Sequence, residues 1–134
     1  MHKYFFIRTD GKYVKINFHE IIYAEGSRNY TKIITETKSY LVLITMKRLE
    51  NFLPVNLFRR IHKSFIVSLD RIIEFDKEQV WLMNKELPIG QQYKGDLEKA
   101  VLIINDPVHK IASTHSLYPT AVLIKDRCPI ELFS

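Results

Sequence analysis

Arg59, Arg60, His62, Lys63 and Ser64 crowd cationic and polar donors into one short stretch, and the chain then runs directly into Phe65, Ile66, Val67 and Leu69. Guanidinium, ammonium and hydroxyl groups donate to phosphate oxygens, imidazole and lysine reach base edges, and the apolar residues behind them can fix the segment in a core. Taken alone, such a stretch reads equally well as a solvated basic turn before an ordinary strand. Two more segments carry the same chemistry: Gly26-Ser27-Arg28-Asn29-Tyr30-Thr31-Lys32 and Gly90-Gln91-Gln92-Tyr93-Lys94. An Asn or Gln amide can pair bidentately with adenine, and Lys can donate to guanine. Each segment by itself is an ordinary polar turn. Their repetition, each beside a strand, points to a single surface suited to nucleic acid.

Catalytic and metal chemistry finds no comparable support. No G-x-S-x-G elbow, H-E-x-x-H helix or glycine-rich phosphate loop occurs, and Gly11, Gly26, Gly90 and Gly95 are isolated. His19, His62, His109 and His115 lack ligand spacing, and the single Cys128 stands far along the chain, so neither a metal nor a cofactor is expected. Glu74, Asp76 and Glu78 read as exposed, solvated carboxylates rather than as an acid–base pair.

At 134 residues and 46% hydrophobic, the sequence suits one folded domain with a real core. One cysteine excludes an internal disulfide, which, with no signal-peptide pattern, favours a reducing, cytoplasmic setting. No apolar run is long enough to span a bilayer, so no membrane partner is expected. The net charge is +5, and it is unevenly spread: residues 1–105 hold 17 Lys/Arg against 12 Asp/Glu, whereas residues 106–134 hold 3 of each. The excess positive charge therefore lies with the three polar segments, where a polyanion would be met.

The elements that must position these segments are mainly β. Tyr4 to Arg8, Asp10-Gly11 and Lys12 to Phe18 read as a hairpin around a tight turn. Further strands are expected at Ile21 to Glu25, Tyr30 to Thr35, Tyr40 to Ile44, Phe65 to Leu69, Ile72 to Phe75 and Val80 to Met83. Thr45 can cap a helix over Met46 to Leu53, ended by Pro54. A second helix is expected from Gln92 to Ile104, with Leu97, Ala100, Val101 and Ile104 as its apolar stripe. Neither helix offers a basic reading face, which disfavours a helix-turn-helix and leaves loops and strand ends as the reading devices. Residues 106–134 form a tail of unknown role. In it only Ala121 to Ile124 reads as a strand, so an edge strand, a partner-binding tail and a loosely held terminus all stay open.

Over residues 4 to 104 the chain resembles the LytTR DNA-binding domain of bacterial transcription regulators. The resemblance rests on Lys12-Tyr13-Val14-Lys15-Ile16, Ile21-Ile22-Tyr23-Ala24-Glu25, Asn29-Tyr30-Thr31-Lys32-Ile33, Thr45-Met46-Lys47-Arg48-Leu49-Glu50, Phe58 to Val67, Leu87-Pro88-Ile89-Gly90 and Tyr93-Lys94, in that order and spacing. It implies an elongated, mainly β fold of small antiparallel β-sheets with two short helices. It also implies a double-stranded DNA partner, bound by loops inserted into successive major grooves of a promoter repeat, with a homodimer on the DNA. Carried over residue by residue, Asn29, Tyr30, His62, Lys63, Gln91 and Gln92 become base readers, with His62 open equally to a hydrogen bond within its loop that shapes it. Arg28, Lys32, Arg59, Arg60, Ser64 and Lys94 become phosphate contacts that set register, with Arg59 open also to facing solvent.

Two departures qualify the resemblance. Many family members carry arginine near Gln91 and Gln92, and asparagine or arginine at Lys63; an amide in place of a guanidinium shifts preference from guanine towards adenine. LytTR domains also commonly act as output domains behind a receiver domain, and Met1 lies almost at the first strand and leaves no room for one, so either a stand-alone regulator or an excised output domain is expected, with control left open among abundance, another regulatory protein such as an upstream sensor, and the tail. A second reading is a protein-interaction module derived from a DNA-binding domain, acting through β edges or the tail.

Overall fold

The computed structural model describes residues 3–105. The tail, with its expected strand Ala121 to Ile124, lies outside the described residues. A compact unit covers Met1–Val101, and of a second unit, Leu102–Ser134, only residues 102–105 are described.

Hydrophobic alternation is answered by strands almost throughout the first unit. β1 (Tyr4–Thr9) and β2 (Lys12–Asn17) form the expected hairpin, its turn made by Asp10 and Gly11 at φ 52° and 75°, the left-handed pair that a tight hairpin turn needs. β3 (Ile21–Ser27), β4 (Tyr30–Thr35), β5 (Ser39–Val42), β6 (Phe58–His62) and β7 (Phe65–Ser68) make a five-stranded antiparallel sheet in the order β5-β4-β3-β7-β6. β8 (Glu74–Phe75), β9 (Gln79–Trp81) and β10 (Glu86–Pro88) make a small third sheet. Helix α1 (Met46–Phe52) starts where expected, with Thr45 Oγ1 accepting from the Arg48 N–H at 3.3 Å.

A hydrophobic cluster packs on each face of the central sheet. On one side Ala24, Ile33, Phe58 and Ile66 pack with Ile7 and Ile16 of the hairpin, with Met46 and Leu49 of α1 and with Leu53 just after it. On the other, Ile61 and Val67 pack with Val80, Leu82, Leu87, Ile89 and Leu97. Neighbours Ile66 and Val67 thus serve opposite cores, as the two-residue period of a strand requires.

Three elements differ from expectation. The helix over Gln92–Ile104 is replaced by a 3-10 turn at Gln91–Tyr93 and a short helix α2 (Asp96–Ala100). Gly95 sits between them at φ 90°, which ends helical continuity, and only Leu97 of the expected stripe is buried. β6 occupies the stretch read as a cationic loop, because Phe58 and Ile61 supply apolar anchors to opposite faces while the basic residues stand between them. β10 is a third unexpected element, three residues long, with only Leu87 buried.

Candidate nucleic-acid interface

The first polar segment is the tip of the β3–β4 hairpin, where Ser27 pairs with Tyr30 and leaves Arg28 and Asn29 exposed between them. Arg28 holds φ 55°, a left-handed conformation in which its Cβ is crowded. Tyr30 is about half exposed and Lys32 points outward from β4, between buried Thr31 and Ile33.

The second segment is the β6–β7 turn, made by Lys63 and Ser64 after a register irregularity between Arg60 and His62. His62 Nδ1 accepts from the Ser64 N–H at 3.0 Å, which assigns the neutral ring's proton to Nε2. Its ring also packs against Phe65 at 5.4 Å between centroids. Arg60 folds beneath the turn: Nε donates to His62 O at 3.2 Å, Nη2 to Lys63 O at 2.6 Å and Nη1 to Glu50 Oε1 at 3.1 Å. Its side chain is only 16% exposed. The guanidinium therefore shapes the turn, while Lys63 stands exposed at its tip. Arg59 donates from Nε to Val55 O at 3.1 Å.

The third segment is the 3-10 turn, where Gln91 and Gln92 are exposed. Tyr93 lies under the Arg60 guanidinium, 6.0 Å from its ring centroid, and Lys94 Nζ pairs with both Glu78 oxygens at 2.9 Å.

Backbone bonds join the three. Gly26 N–H donates to Ser64 O at 2.9 Å, tying the first hairpin to the second, and Gly90 N–H donates to Ile61 O at 2.8 Å, tying the second to the third. Gly26 is glycine for a physical reason: a Cβ there would come within 2.1 Å of Met46 Cγ, so its absence lets α1 seat against β3. The resulting row runs Arg28 and Asn29, then His62, Lys63 and Ser64, then Gln91 and Gln92. Between the first two turns lies a cleft of about 370 Å³ lined by Arg28, Thr45, Lys47, Arg60, Lys63 and Ser64. In the sequence, Lys47 and Glu50 read only as part of a family motif and not as site residues. Lys47 is exposed beside this cleft, and Glu50 anchors Arg60; both belong to a helix whose basic residues gave no stripe of their own.

Among the described residues no cluster of His, Cys, Asp and Glu could hold a metal ion, and no helix is long and apolar enough to cross a membrane.

Comparison with known proteins bears on the family and the fold. The family model for the LytTr DNA-binding domain matches residues 11–102. A heme-containing CO-sensing transcriptional regulator, RcoM 2 of Paraburkholderia xenovorans (strain LB400), is 33% identical over 64 residues, 48% of this chain and 24% of that protein. The aligned part is thus about a quarter of that relative's length. A solved structure described as the LytTr DNA-binding domain of a Bacillus cereus methyl-accepting/DNA response regulator superposes with a TM-score of 0.64 at 21% identity, covering 75% of this chain and 97% of that one. At that identity the likeness speaks for the fold.

Proposed function

The chain belongs to the LytTr DNA-binding domain family, and from that premise we propose that it is a sequence-specific regulator of transcription that reads double-stranded DNA with its three joined turns. One observation supports the reading: two backbone hydrogen bonds join the three separated segments that carry the cations and amides. A row of turns suits successive major grooves of one duplex. Exposed Arg28, Lys32 and Lys63 supply charge to it, and exposed Asn29, Gln91 and Gln92 supply amides that pair with base edges. The work is binding rather than catalysis, carried out in the cytoplasm by pairs of chains on repeated half-sites, under the control of an upstream sensor or another regulatory protein.

The test is selection from a random double-stranded DNA pool, followed by binding measurements over a salt series. The expected result is enrichment of a repeated motif, bound at least about a thousandfold more tightly than scrambled DNA, with affinity falling steeply as salt rises. Equal affinity for every duplex would leave only unspecific attraction. No binding at low salt would overturn the reading and favour a protein-interaction module.

A further inference from the structure

A second cavity lies away from the row of turns, in the same compact unit. Strand β1, strand β5 with the residues after it, and helix α1 line a groove of about 580 Å³, within the range of small-molecule sites. Its floor includes Phe5, Phe18, Ile33, Ile44, Leu49 and Leu53. Phe6, Leu43 and Phe52 line it as well and remain open to solvent, Leu43 at 71% and Phe52 at 64%. Close packing leaves few voids of this size in a domain core, and apolar rims of this kind mark binding surfaces.

Charge selects the occupant. Every side chain lining the groove is apolar except Arg8 and Arg48. The ion pairs among the described residues are Arg60–Glu50, Arg71–Glu36 and Lys94–Glu78, so neither arginine is matched to a carboxylate there. Instead each guanidinium lies over a ring, Arg8 over Tyr13 at 5.9 Å and Arg48 over Phe52 at 5.7 Å, which leaves its edge donors free to turn to an anion. A hydrocarbon body would fill the groove, and a single carboxylate would meet an arginine fork. We propose that this groove binds an apolar monocarboxylate, a molecule with an extended hydrocarbon body and one anionic head.

Laurate titrated into the 134-residue chain tests this, with calorimetry for affinity and backbone amide NMR shifts for location. Saturable binding of one laurate per chain is expected, with the largest shifts around Phe5, Leu43, Leu49 and Phe52. Dodecyltrimethylammonium, which has the same chain and the opposite charge, should bind at least about tenfold more weakly, and the double variant R8Q/R48Q should lose about tenfold or more of the laurate affinity. Leu43→Asp, at a residue already exposed, should reject laurate through like charge while leaving the circular dichroism spectrum unchanged. Absence of saturable binding, equal affinity for the two head groups, undiminished affinity in R8Q/R48Q, or shifts confined to the amides around Arg28, Lys63 and Gln91 would each overturn the proposal. So would a dimer that buries the groove and separates in Leu43→Asp.

Discussion

At the scale of single residues, the second turn separates two basic side chains that are adjacent to the same loop and differ in what they can do. Lys63 is exposed at the tip, whereas Arg60 spends its guanidinium on His62 O, Lys63 O and Glu50. Lys63→Ala is expected to cost about 1–3 kcal/mol of binding on the selected motif and much less on unrelated DNA, as read from fluorescence anisotropy on both. Equal losses on both would reduce Lys63 to a phosphate clamp. Arg60→Gln removes charge-assisted bonds that hold the turn, so about 1–3 kcal/mol of folding stability should go with it in urea denaturation. Its binding loss should be the same on every sequence, with the salt slope unchanged because the count of neutralised phosphates is unchanged. A slope shallower by about one would instead return Arg60 to the phosphate contacts. Glu20 is a residue of another kind. The Asn17 backbone and side-chain N–H groups donate to it at 2.9 and 3.2 Å and hold its carboxyl below the ordinary range. A carboxylate lowered by folding stabilises above its unfolded value and stops doing so as pH falls through the folded one. Glu20→Gln should therefore lose stability at neutral pH and show a flatter decline below about pH 4.3 in urea midpoints taken across the acid range.

At the scale of elements, the junction of α1 with β3 leaves no room for a side chain at Gly26. Gly26→Ala would drive a methyl group into Met46. The expected result is a loss of about 1–3 kcal/mol in urea unfolding, with weaker DNA binding, since Gly26 also donates to Ser64 O. Unchanged stability would mean that Met46 finds another rotamer at no cost. Elements also mark what the sequence disclosed. The first hairpin was legible because alternation and an Asp-Gly turn agree, and α1 because Thr45 and Pro54 bracket a helical apolar spacing. β6 was not, since Arg59 and Arg60 interrupt its apolar residues and such a run reads as a loop until Arg60 is seen folded under its own turn. The second helix was overread because Leu97, Ala100, Val101 and Ile104 have helical spacing, yet spacing does not reveal that Gly95 takes a left-handed φ. The three polar segments were visible from residue type alone. Their repetition also pointed to one surface, but the main-chain bonds that join them were not legible, because they link residues distant in sequence, Gly26 with Ser64 and Ile61 with Gly90.

At the scale of the whole molecule, the central sheet is a wall between two cores, and the second turn grows from the strands that are anchored in both. Ile61 and Val67 reach one side, Phe58 and Ile66 the other. The tips themselves contribute little to that wall: Asn29, Lys63 and Gln91 are all exposed. Replacing the three together by alanine should leave the thermal midpoint within a few degrees while abolishing motif preference, as checked by calorimetry and by competition binding; exposed sites away from core features alter stability by only about 0.5 kcal/mol each. A collapse of the midpoint would reveal that these side chains are structural. Because the turns are fastened to one another through amide and carbonyl groups that every variant keeps, the outward-facing letters can be rewritten one at a time on an unchanged chassis. New target sites would then be reachable by small steps, with foldability carried along intact.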